Sequence, residues 1–117
     1  MQDFRNLLVW EKAHLLTLKI YGISGTFPEK ERFGLISQMQ RSAASIPTNI
    51  AEGCGRQTDA EFAKFLYYST GSASELEYQL LLARDLKYLP KEAWQDLNLQ
   101  TNEVKRMLIA LLKKIKS

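Results

Sequence analysis

Residues 45–56 read SIPTNIAEGCGR, and the fold turns on how they are read. Ile46 and Ile50 continue a stripe begun by Ile36, Met39 and Ala43, in the alternating steps of three and four that mark one helix face. Pro47 falls inside that stripe. It removes a backbone donor there and crowds the preceding turn. The apolar rhythm nevertheless runs across it, so the spacing predicts a helix from about Pro28 to Glu52, bent at Pro47 or interrupted there in its hydrogen bonding. The carbonyl of Ala43 loses its usual donor and needs another. Ser45, Thr48 and Asn49 are the local candidates.

Working outward, GCGRQT ends this helix, and Thr58 with Glu61 forms a capping box that opens the next. The third helix carries Phe62, Leu66, Ser69, Ala73, Leu76, Leu80 and Ala83, and should stop near Tyr88. Before the central hairpin, Val9, Ala13, Leu16, Ile20 and Ile23 predict a helix from about Val9 to Ser24, with Asn6 as N-cap and Gly25 as stop. After it, Leu89-Pro90 opens a fourth helix. Its stripe is Trp94, Leu97, Thr101, Val104, Leu108, Leu111 and Ile115. No segment alternates like a strand. The expectation is an all-α chain: one domain over residues 1–117, folded as an antiparallel up-down-up-down four-helix bundle.

Folding the central hairpin sets Ser42–Ser45 against Ser69–Ser74, two stretches poor in bulk. Small residues facing each other let helix axes come close. They also suit a surface that receives another subunit. The residues Ser45, Pro47, Asn49, Glu52 and Gly53 form the candidate structural or interface motif. Apolar residues overflow the core stripes at Leu15, Leu18, Phe65, Tyr68, Leu81, Leu82, Ile109 and Leu112. A helix apolar on a second face must bury it somewhere, which predicts self-association.

Enzyme chemistry finds little to work with. Hydrophobic residues make up 45% and charged residues 25%, the proportions of an ordinary globular domain. Glu11-Lys12-Ala13-His14 matches half of a di-iron motif, but the chain has one histidine, and such sites need two of these motifs. Cys54 is the only cysteine, so it has no disulfide or zinc partner within the chain and is expected to be an ordinary turn residue. Gly53-Cys54-Gly55 follows a helix rather than a strand, which removes its phosphate-loop reading. No catalytic residues, metal, cofactor or small-molecule substrate are expected, and the chain is read as a non-enzyme. The N-terminal MQDFRNLLVWEK lacks the basic-then-apolar pattern of a secretory leader, and no apolar run would span a bilayer. A cytoplasmic location is expected.

The net charge of +3 is mild. Lys105, Arg106, Lys113, Lys114 and Lys116 load the end of helix 4, where cations also suit the helix dipole. Arg41, Arg56 and Lys64 are expected around the central hairpin. Arg56, Lys105, Arg106, Lys113 and Lys114 are the candidate contacts to a nucleic-acid backbone. Solvation is the competing reading of the same charges.

LLVWEKAHLL, FPEKERFGLISQMQRSAASIPTNIAEGCGR, EFAKFLYYSTGSASELEYQL and ARDLKYL together resemble the four-helix-bundle proteins encoded in 23S rRNA intervening sequences. SIPTNIAEG and GSASELE are its specific parts. The resemblance implies a four-helix bundle and a ring-shaped homopentamer, a form also seen in the similar accessory protein of diversity-generating retroelements. That relative binds nucleic acid and a reverse transcriptase. The family has no established activity and supplies no catalytic residues. The resulting expectation is a non-enzymatic, self-assembling protein associated with structured RNA or a nucleoprotein partner. The alternative is a protein-interaction scaffold that touches no nucleic acid.

Overall fold

A computed structural model describes residues 2–116. Helices α1 (Leu8–Ser24), α2 (Leu35–Cys54), α3 (Asp59–Asp85) and α4 (Lys91–Lys116) make up most of it. Short 3-10 turns at Phe4–Asn6 and Glu29–Glu31 complete it, and there is no strand among the described residues. The predicted run of helix 4 to the chain end holds to Lys116, and Ser117 lies outside the described residues.

Each helix packs on its sequence neighbours, and α1 and α4 close the ring with no diagonal contact. Cross-links fix the directions. Thr17 meets Ala43 and Ser24 meets Gln40 between α1 and α2. Ser42 meets Glu75 and Ser45 meets Ser72 between α2 and α3. Lys105 reaches Glu77, and Lys116 reaches Tyr67. In every pair one number rises as the other falls, so neighbouring helices are antiparallel. One continuous apolar core fills the middle, with Leu16, Met39, Ile46, Leu66, Leu76 and Leu108 fully buried.

Three boundaries differ from the sequence reading. Helix α2 starts at Leu35, not Pro28. Pro28 is extended (ψ 142°), a 3-10 turn follows, and Gly34 at φ −107°, ψ −110° breaks the path. This segment has its own anchor: Phe27 is buried, its ring 5.6 Å from that of Tyr88, and the Tyr88 hydroxyl donates to Glu31 at 2.9 Å. Helix α1 begins after Leu7, because Asn6 belongs to a 3-10 turn capped by Asp3. Helix α3 ends at Asp85 rather than near Tyr88. The Tyr88 N–H bonds back to the Ala83 carbonyl at 3.0 Å, and Lys87 takes a left-handed φ of 65°. At the other end of α3, the Thr58 hydroxyl accepts from the Glu61 N–H at 3.2 Å, which is the N-cap half of the capping box.

Some core positions also shift. Leu112 is buried and Leu111 only half-buried, reversing their expected roles. A straight helix drifts about 20° per heptad, enough to move the stripe by one residue at the end of a long helix. In α2, Leu35 is buried while Ile36 is half-buried.

Pro47 is buried inside an α2 that runs unbroken to Cys54. The orphaned Ala43 carbonyl is not satisfied locally. It accepts from the Thr17 hydroxyl of α1 at 3.0 Å, and that hydroxyl also lies 2.8 Å from its own Ala13 carbonyl. The neighbouring helix therefore brings a hydroxyl to the carbonyl that proline orphans, its one proton shared with the Ala13 carbonyl. Cys54 is the last residue of α2 and sits in the core rather than in the turn. Burial raises its thiol pKa, and its carbonyl accepts from the Gln2 N–H at 3.0 Å. No helix among the described residues is long and apolar enough to cross a membrane.

Candidate nucleic-acid interface

The motif around Pro47 turns inward. Ser45 and Ser72 hydroxyls meet at 2.8 Å, and the Asn49 amide donates to both the carbonyl and hydroxyl of Ser45 at 2.9 Å. The Ser69 hydroxyl donates to the Ile46 carbonyl and Ser42 to Glu75, each at 2.9 Å. At Gly53 a Cβ would lie 2.9 Å from Phe62 Cδ1 and 3.0 Å from Phe65 Cβ. Only glycine lets α3 pass this close. Of the five motif residues only Glu52 is exposed. Ser45 and Gly53 hold α2 on α3, Asn49 braces Ser45 from within α2, and Pro47 lies on the side facing α1, so the small-residue patch is used within the subunit.

The basic candidates separate into three settings. Lys105 is a clamp: its ammonium lies 2.9 Å from Glu77 across the α3–α4 seam, and its side chain is 22% exposed. The hydrogen bond from Lys105 holds the Glu77 carboxyl below the usual carboxylate range. Arg56 is half-engaged, 3.8 Å from Glu52 and 4.7 Å above the Phe65 ring. Arg106, Lys113 and Lys114 are exposed on α4. Arg106 and Lys113 are seven residues apart on one outer face, and among the described residues no ion pair holds either.

Antiparallel packing brings the α2 C-terminus, the α3 N-terminus and the α4 C-terminus to one end. Arg56, Lys64, Lys113 and Lys114 share it with Lys116, whose ammonium bonds the Tyr67 hydroxyl and lies 4.9 Å over that ring. Glu52, Asp59 and Glu61 offset part of this charge. Arg106 sits about 10 Å further up α4, at 1.5 Å per residue. Arg41 is not near the hairpin. It lies about 22 Å up α2 by the same rise, lining a polar groove with Gln38, Ser42 and Glu75. A second basic group, Arg84, Lys87 and Lys91, gathers at the opposite end and escaped the sequence reading. Its residues straddle a helix break, and no single helical stripe contains them.

Among the described residues, no group of three or more His, Cys, Asp or Glu side chains is placed to hold a metal. His14 is exposed and stacked on Trp10, with ring centroids 5.1 Å apart and planes 6° from parallel.

Comparison with known proteins agrees with this architecture. The family model for the 23S rRNA-intervening sequence protein matches residues 5–110. A solved structure from Bacteroides thetaiotaomicron, described as a protein with unknown function from the S23 ribosomal protein family, is 27% identical. It superposes with a TM-score of 0.85, covering 91% of this chain and 96% of that one. A search of curated proteins gave no match. The match over residues 5–110 spans nearly the whole chain, so this chain belongs to the 23S rRNA-intervening sequence protein family.

Proposed function

We propose that this family member is a non-enzymatic, self-assembling cytoplasmic protein that associates with structured RNA or a nucleoprotein partner. One observation carries the assembly half. The outer face of α3 repeats Tyr67, Gly71, Ser74, Tyr78 and Leu81 in heptad steps, all of them exposed. A Cβ at Gly71 would meet nothing within 4 Å inside the subunit. A glycine in mid-helix costs about 1 kcal/mol against alanine. Nothing in the monomer requires it, whereas close approach by another chain would. The ring-shaped homopentamer is the assembly this reading adopts.

The RNA half rests on Arg56, Lys113 and Lys114 at one end of the bundle, with Arg106 on the same outer face of α4. A ring would repeat this weak charge around an axis, and repetition raises avidity without new contacts per subunit.

Light scattering with and without nuclease tests both halves. The expected result is an oligomer mass that drops on nuclease treatment to that of a bare oligomer. Gly71→Leu should dissociate it, while Gly71→Ala should stabilise the isolated subunit by about 1 kcal/mol. A monomer mass at micromolar protein defeats the assembly reading. An oligomer that retains no RNA after gel filtration favours the scaffold alternative.

A further inference from the structure

At the far end of the bundle from Arg56, the break between α3 and α4 forms a hollow of about 420 Å³ lined by Arg84, Asp85, Lys87, Lys91 and Trp94. Two of its residues are poorly suited to their positions on structural grounds alone. Lys87 holds the left-handed conformation (φ 65°) that glycine adopts without strain. Lys91 is the first residue of α4, where the helix dipole disfavours a cation. Both lysines are exposed, and no ion pair compensates either among the described residues. Locally unfavourable choices that converge on one spot are what a binding site looks like.

The remaining walls point the same way. Arg84 lies 4.5 Å above the Trp94 ring. It is paired with Asp85 at 3.0 Å, which leaves the cluster two positive charges in excess. Trp94 is half-buried at the wall of the hollow with its indole N–H covered and unpartnered, so the ring serves as a reporter of the site rather than as a ligand. An anion at the start of α4 would offset the dipole penalty on Lys91, draw in the Lys87 ammonium and find the guanidinium beside it.

We propose that this corner binds a phosphate group, held by Lys87, Lys91 and Arg84 beside Trp94. The phosphate is that of a nucleic-acid backbone or of a free phosphate, and the experiment separates the two. The site does not share a residue with the Arg56–Lys113–Lys114 end, so either can fail without the other.

The test follows the two indole N–H resonances of nuclease-treated protein by NMR, with Trp10→Phe serving only for assignment. Inorganic phosphate or a short single-stranded RNA is added at matched low ionic strength. The Trp94 signal is expected to shift and saturate. A shift with phosphate alone identifies a free-anion site, and a shift with RNA alone identifies a backbone site. Lys87→Gln with Lys91→Gln should abolish the shift and lower the log–log salt slope of RNA binding by about 0.7 per lysine. Lys113→Gln with Lys114→Gln should leave the Trp94 shift intact. Lys87→Gly guards against misfolding, because it suits the left-handed backbone: it should raise thermal stability while weakening binding. No Trp94 shift with either ligand, or an unchanged shift in the double variant, overturns the proposal.

Discussion

The α2–α3 and α1–α4 seams join helices of similar length in the same bundle, yet they are built on different physics. Between α2 and α3 the facing residues include many Ser, Ala and Gly, and the axes come close enough for hydroxyls to bond across. Between α1 and α4 the helices meet along less of their length, through long side chains. Lys12 reaches Glu103 at 2.7 Å, Lys19 comes within 3.8 Å of Asp96, and Leu15 and Leu18 line an open groove between the two helices. Small residues with directional hydrogen bonds fix a register. Bulky residues with solvated ion pairs leave a seam that tolerates change. Stability is therefore expected to concentrate on one side of the bundle, and surface variability on the other.

The hardest blow to this contrast would come from Ala43. It is fully buried on the tight side, and Ala43→Leu should cost up to about 3 kcal/mol by overpacking. Denaturant melts that match the wild type would show that the seam is not tight. Next is Thr17→Val, which strips the donor from the buried Ala43 carbonyl and should cost about 1–2 kcal/mol. Pro47→Ala restores a backbone donor to that carbonyl, so the penalty should shrink by about 1 kcal/mol in the double variant. Additive free energies in that cycle would show that Thr17 does not compensate for the proline.

The ion pairs should matter less. Glu77 has its pKa held down by Lys105, below its unfolded value of about 4.3. Its contribution is therefore present above that pH and lost as pH falls through the folded value. The pair is partly exposed and should contribute less than about 1 kcal/mol. Lys105→Met should flatten the acid limb of the stability profile below about pH 4.3, and an unchanged limb would remove the pair from the account. Smallest of all, Leu15→Ser with Leu18→Ser on the open seam should stay within about 0.5 kcal/mol per site. A larger loss in a dilute monomer would mean that the α1–α4 groove is closed.

The tight seam was the more legible of the two. Small residues at heptad spacing on consecutive helices announce a close approach, and Ser42–Ser45 does meet Ser69–Ser74. The Thr58–Glu61 box likewise placed the start of α3. The donor for Ala43 is hidden in the sequence because it comes from another helix, 26 residues upstream, beyond the neighbouring turns that local spacing describes. The α2 start was misjudged because Pro28 and its charged neighbours suit a first helical turn equally well. Phe27 and Tyr88 override that preference by tertiary packing. Among the basic residues, charge and position gave Arg106, Lys113 and Lys114 their exposed places. The sequence could not show that Lys105 faces Glu77, since that depends on the register of α3 against α4.

The Gln2–Cys54 hydrogen bond has a kinetic consequence. Cys54 is the only thiol, it is buried, and burial keeps it protonated. A thiol reagent reaches it only when the bottom of α2 and the N-terminal segment lying against it come apart. Labelling of Cys54 therefore counts opening events at that end one molecule at a time. Set beside the global unfolding rate, it tells whether the end by the α2–α3 turn frays on its own or only when the whole bundle lets go.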